Sequence, residues 1–278
     1  MTTMHRMLLG FTLVFCAGTT LAQSGQGGDA KAFDHAHAVW TEVLTTHVVK
    51  DRFDYAALKK DRALLDLYLG KLHAVDPKQL EAWTRDQRYA FWINAYNAHC
   101  VALVVGEYPI ESIKDIGSFF SPVWKKGFID MPALHPSGKP AKLSLDDIEH
   151  RILRPIYKDA RIHAAVNCAS VSCPPLLAEA FVAERLDDQL DQQVRAWLAD
   201  TSRNRFDKSR SRADVSAIFN WFAEDFVRDA GSVVQWLAKY APAEEAEWLT
   251  SSRVTVKHLD YSWKLNDSDR SELKRSAR

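Results

Sequence analysis

Tyr89-Ala-Phe-Trp-Ile-Asn-Ala-Tyr-Asn-Ala-His-Cys-Val-Ala-Leu-Val-Val105 is the stretch around which the rest of the chain has to be arranged. It follows Arg88 without a single Asp, Glu, Lys or Arg. A helix that is apolar on nearly every side belongs at the centre of a packed core, because no face of it is suited to water. Asn94, Asn97 and Val101 share one face at helical spacing. Buried amides must be hydrogen-bonded, so both asparagines have definite partners.

Working outward, Phe33 to Val49 and Asp54 to Leu72 carry apolar residues at helical spacing, and Asp76-Pro77 stops the second run. Tyr108-Pro109 ends the central helix, and Gly and Pro punctuate residues 110–138. Ser144, with Asp147 at the capping-box position, opens a helix to about Leu153. Arg161 to Asn167 reads as a buried strand, and Arg253 to Trp263 as a late one. Ala183 to Leu198, Val215 to Phe226 and Val233 to Tyr240 supply further helical surface. The expected fold is α+β: a helix-rich single domain with a small sheet and a central buried helix near residues 88–105.

Composition narrows the function classes. The 278 residues hold 36 Lys and Arg against 36 Asp and Glu. A neutral total gives no support to a nucleic-acid or anionic-membrane partner. The richest basic run, Arg203 to Arg212, reads as a solvated loop. Residues 1–22 read as an export signal: His5 and Arg6 precede an apolar run, and Thr20-Leu21-Ala22 offers small residues for cleavage. The expected protein is periplasmic or secreted, with a disordered lead over 23–32, no integral membrane segment after signal removal, and a polar tail over 267–278. The mature chain then keeps Cys100, Cys168 and Cys173 in an oxidising compartment.

Chemistry is most plausible from Arg161 to Leu176, where His163, Cys168 and Cys173 meet small polar residues and two prolines. On a helical wheel Glu149 falls within the apolar stripe of Leu145, Ile148 and Ile152, while His150 falls on the opposite, solvent side. A core-facing carboxylate is costly unless paired, which makes Glu149 and His163 natural partners. Cys168 would then be a nucleophile, His163 its base, Glu149 the orienting group, and Asn94 or Asn97 supporting donors. On a straight strand His163 and Cys168 would stand roughly 16 Å apart, so the pair needs a sharp turn near Asn167. The competing expectation is a Cys168–Cys173 disulfide that supports a recognition loop and disarms the thiol. Paired zinc-ligand spacing is absent, so neither a metal nor a cofactor is expected. His35 and His37 read as solvated, Phe219, Trp221 and Phe222 as core, and Asp260 to Trp263 as a packed strand, with the rim of a pocket as the alternative.

Six stretches together resemble the domain of unknown function 547 family, in the family's order. They are Ala90 to Ala98, Ser112 to Ile116, Leu143 to His150, His163 to Leu176, Ile218 to Phe226 and Tyr261 to Asn266. The resemblance implies one domain over 33–266 and an exported bacterial member. It transfers no catalytic residue, though relatives fused to glutaredoxin-like domains imply thiol chemistry in the family's company. The expected function is that of a thiol-dependent hydrolase or acyl/amide transferase acting on a small molecule or peptide. The alternative is a non-catalytic binding module.

Overall fold

Local caps start the helices that surround the core. The structure, a computed structural model, describes residues 32–118, 120–251 and 253–268. The export signal over 1–22, nearly all of the lead and most of the polar tail lie outside the described residues. Helix α1 (Ala38–His47) runs into a hairpin of β1 (Val48–Val49) and β2 (Arg52–Phe53), with Val48 opposite Phe53. Asp54 caps α2 (Tyr55–Lys60) by accepting from the Ala57 amide. Next come α3 (Ala63–His73) and α4 (Pro77–Ala82), the latter capped by Asp76 with Pro77 in its first turn, where no amide hydrogen is needed.

The central helix α5 spans Arg85–Glu107. It opens on a full capping box in which the Gln87 amide donates to Thr84 Oγ1 and the Thr84 amide to Gln87 Oε1. Its residues from Tyr89 to Val101 are all buried, as their lack of charge requires. A π-helix follows over Asp147–Tyr157, entered through the reciprocal Ser144–Asp147 bonds that the capping pattern anticipates. Such helices bond i to i+5, so the faces of a wheel drawn for an α-helix shift along them.

The expected strand over Arg161–Asn167 is instead a short helix, α6 (Ile162–Ala165). The amides of Ile162, His163 and Ala164 donate to the carbonyls of Asp159, Ala160 and Arg161 at 3.2, 3.2 and 2.9 Å. The backbone is satisfied locally and needs no sheet.

The rest is α7 (Leu186–Ala199), β3 (Arg205–Asp207), β4 (Arg212–Val215), α8 (Ile218–Trp221), α9 (Ala223–Ala230), α10 (Val233–Tyr240), α11 (Ala243–Ser251) and β5 (Thr255–His258). Strands β3 and β4 are antiparallel, and β5 joins β4 in parallel with Val215 opposite His258. The late strand is therefore shorter than expected. The chain is a helix-rich α+β single domain. One core gathers around α5, and a second holds Trp197, Phe219, Phe226 and Trp236. Ala160 and Ala164 pack into the second core and Ile162, Ala165 and Val166 into the first. Helix α6 is thus wedged between two cores, which fixes whatever follows it. Among the described residues no helix is long and apolar enough to cross a membrane.

Candidate active site

The asparagines of α5 place the cysteine loop. Asn97 Nδ2 donates to the Ala165 carbonyl at 2.9 Å, and its Oδ1 accepts from the Asn167 amide at 2.9 Å. Asn94 clamps Phe181 in the same way, at 2.7 and 3.0 Å. Both amides are spent on backbone, and neither lines the cavity described below. They are positioning residues, not the supporting donors expected of them.

Asn167 continues the chain of control. Its Nδ2 donates to the Pro174 carbonyl at 2.7 Å, and its Oδ1 accepts from the Ala169 amide at 2.7 Å. Ala169 has φ +61°, a left-handed conformation that costs a non-glycine residue energy and that packing must hold in place. The loop from 168 to 173 therefore folds back on itself. Arg203, expected in a solvated loop, is buried instead; its Nε and Nη2 donate to the carbonyls of Cys173 and Val171 at 2.9 and 2.8 Å. On the other side the Val171 amide donates to the Lys264 carbonyl at 2.8 Å, bringing Tyr261 over the loop.

Cys168 Sγ lies 3.2 Å from each of three hydrogen-bonding groups: Cys173 Sγ, Ser170 Oγ and the Tyr261 hydroxyl. As a thiol Cys168 donates to Cys173, whose own hydrogen faces the Val166 carbonyl at 3.8 Å; once Cys168 is ionised it can only accept, and the Cys173 thiol becomes the donor. That bond, with the hydroxyls of Ser170 and Tyr261, outweighs burial and lowers the Cys168 thiol to about 7. Burial and the neighbouring Cys168 sulfur push Cys173 the opposite way. One thiol of the pair is therefore set to ionise and the other to remain a donor.

His163 is 3% exposed, and its Nε2 lies 2.8 Å from Asp225 Oδ2. The same carboxylate accepts from Arg154 Nε at 2.6 Å and Arg228 Nη1 at 2.7 Å. Burial works against a charge there, but the bonds from His163 and Arg154 prevail and hold Asp225 well below the usual carboxylate range. An ionised carboxylate only accepts, so His163 Nε2 carries a hydrogen and the neutral ring has its lone pair on Nδ1. Phe222 stacks on the imidazole at 4.2 Å. Asp225, not Glu149, orients His163. The sequence distance between them hid this partnership, although Asp225 stands beside Phe226 on the buried side of α9.

Cys168, Cys173, His163 and Glu149 all line one cavity of about 170 Å³. A cavity of roughly 150 Å³ accepts a benzene-sized group. Trp124, Trp221, Phe222, Tyr261 and Trp263 wall it, and Asp146 and His150 complete one side. Trp221 is 46% exposed, so it belongs to the cavity mouth and not to the core. Tyr261 and Trp263 leave the sheet for the same wall. His150 lies there too, because the π-helix does not keep the spacing of an α-helical wheel. His163 and Cys168 share the cavity, but no hydrogen bond joins them among the described residues. The described residues contain no group of three or more His, Cys, Asp or Glu placed to hold a metal ion.

Elsewhere, His37 is buried beside the Tyr68 hydroxyl, 2.7 Å from its Nδ1, in place of the solvated position expected. The molecule is a helix-rich α+β protein organised around a thiol in an aromatic cavity. The family model described as a protein of unknown function, DUF547, matches residues 80–198, and that segment is similar to the family. That segment includes the asparagines, Glu149, His163 and both loop cysteines; Asp225, Trp221 and Tyr261 fall beyond it. Neither a curated protein nor a solved structure matches the chain.

Proposed function

We propose that the protein is a thiol-dependent acyl-transfer enzyme, a hydrolase or an acyl/amide transferase, with Cys168 as its nucleophile. The observation that carries this reading is a cavity-lining sulfur with three hydrogen-bonding groups at 3.2 Å, the Cys173 thiol and the mutually bonded hydroxyls of Ser170 and Tyr261. These groups lower the thiol without help from an imidazole, so His163 is left for the second half of the reaction.

The Cys168 thiolate attacks an acyl carbon, the acyl C–N or C–O bond breaks as the thioester forms, and the departing amine or alcohol takes up a proton from water. Water, or an acceptor amine, then attacks the thioester while His163 Nδ1 takes its proton, and the Cys168 sulfur leaves. Asp225 stabilises the imidazolium that results. An exported location, on the reading of residues 1–22, belongs to the same proposal.

The test is a burst experiment with p-nitrophenyl acetate on reduced protein. One equivalent of nitrophenolate should appear quickly, with one acetyl group found on Cys168 by mass spectrometry. The burst should vanish in Cys168→Ala. Acetylation elsewhere, or a burst that survives in that variant, sinks the reading.

The 3.2 Å separation of the two sulfurs favours a second reading, thiol–disulfide exchange with Cys173 as the resolving thiol. Its signature is a mixed disulfide on Cys168 that accumulates in Cys173→Ala and is released in the native protein.

A further inference from the structure

The cavity carries more negative charge than its neighbours balance. Glu149 makes no hydrogen bond or ion pair with the described residues, although it is half-buried on the wall. Asp146 has one nearby basic group, His150, with Nε2 at 3.7 Å. Yet Arg154 Nη1 lies 3.2 Å from His150 Nδ1, and a guanidinium can only donate. That contact is a hydrogen bond only when His150 offers the lone pair of Nδ1, which leaves its Nε2–H as the group facing Asp146. Arg154 itself is spent on Asp225 and Glu224. None of the residues lining the cavity is a Lys or an Arg. The start of the π-helix tolerates the acids, because helix N-termini favour negative charge.

The opposite wall has the matching property. Trp221, Tyr261 and Trp263 form a continuous aromatic surface, with ring centroids 4.7 Å apart for Trp221–Tyr261 and for Tyr261–Trp263, and 5.9 Å for Trp221–Trp263. The faces of indole and phenol rings attract cations. This surface already holds one, since Lys114 Nζ sits 4.0 Å from the Trp263 ring centre without lining the cavity.

We propose that the cavity beside Cys168 binds a small organic cation, an alkylammonium or quaternary ammonium head held against Trp221 and Tyr261 and neutralised by Glu149 and Asp146. Read as a statement about substrate, this rests on Cys168 being the nucleophile. The acyl compound it processes then carries a cationic nitrogen close to the scissile bond, and each bound cation would further favour the thiolate. Read as a statement about binding, it needs no reaction at all.

The probe is choline, compared with its carbon isostere, in which a tert-butyl group replaces trimethylammonium. Both are titrated into the full reduced chain while tryptophan emission is followed. Choline should produce a saturable change at a concentration at least about tenfold below that needed for the isostere. Glu149→Gln and Asp146→Asn, which keep shape and remove charge, should each narrow that gap. Trp221→Ala should weaken choline binding by about tenfold. Equal response to the two compounds, or no saturation with choline, overturns the proposal. A gap unchanged in both charge variants overturns it as well. An acetylation burst without discrimination between the two compounds defeats this proposal alone. Choline binding without any burst defeats the acyl-transfer reading alone.

Discussion

Helix α6 separates two charged regions that handle their charges in opposite ways. Before it, Arg161 meets Asp159, Asp187 and Asp191 at 2.8, 2.8 and 2.7 Å, so every arm of the guanidinium is committed to a carboxylate. At the start of the π-helix, Glu149 and Asp146 line an aromatic cavity whose lining residues include no Lys or Arg. The first network closes on itself and anchors the helix. The second stops short, and an incomplete set of charges beside a low-exposure thiol is what a ligand can complete. Buried charge alone therefore does not mark the site. Missing compensation marks it.

The sharpest way to break this comparison is at Asp225, which belongs to the site yet is fully paired. Asp225→Ala leaves His163, Arg154 and Arg228 facing an emptied position, and should cost about 3–5 kcal/mol in denaturant unfolding. A loss below about 1 kcal/mol would mean that these groups reach water easily, and the contrast between closed and open charge sets would lose its meaning.

Acid acts on the core through its buried histidines. Burial lowers His37 and His99 to about 4, so between pH 6.5 and 4 the unfolded chain binds protons that the folded chain refuses. Stability should thus fall as pH drops through that window, by up to about 3 kcal/mol for each histidine. Asp225, whose folded carboxyl is also depressed, contributes stability above the ordinary carboxylate range and loses it only at more acid pH. Unfolding curves at pH 7, 5.5 and 4.5 for the native chain and His37→Gln measure the first effect, and an unchanged slope in the variant would count against it.

Arg161→Ala should be milder, about 1–2 kcal/mol, because Asp187 is 88% exposed and Asp191 partly so, and solvent screens both pairs. Thiol binding and the cavity should survive it. The smallest effect is local to the loop: iodoacetamide should modify Cys168 with a midpoint near pH 7. Removing the Cys173 donor in Cys173→Ala should raise that midpoint by about one unit, roughly a tenfold change at low pH. A midpoint that stays in place would assign the activation to Tyr261 and Ser170 alone.

Much of the fold was legible because it depends on local rules. The uncharged run after Arg88, the prolines at 77 and 109, and the Ser144–Asp147 pair act through burial, backbone geometry and capping, all of which are written over a few residues. The misreadings have equally definite causes. Alternating polarity from Arg161 to Asn167 suggested a strand, but four residues between two cores are too few for alternation to outweigh a local turn. The wheel put His150 in solvent because it assumed α-helical spacing. Glu149 was paired with His163 because the true partner, Asp225, stands 62 positions away. The partners of Tyr261 and Arg203 in the cysteine loop are equally remote in sequence.

The sequence by itself determined that a helix must lie at the centre, that its asparagines must be bonded, and that a cysteine loop follows a buried histidine. These follow from hydrophobic burial and from the cost of unpaired polar groups, which each residue carries wherever it is placed. Only the tertiary structure decided which carboxylate holds His163, which donors lower Cys168, and which acids remain uncompensated. Those are matters of angströms between distant segments, and electrostatic and hydrogen-bond energies fall away over that same scale.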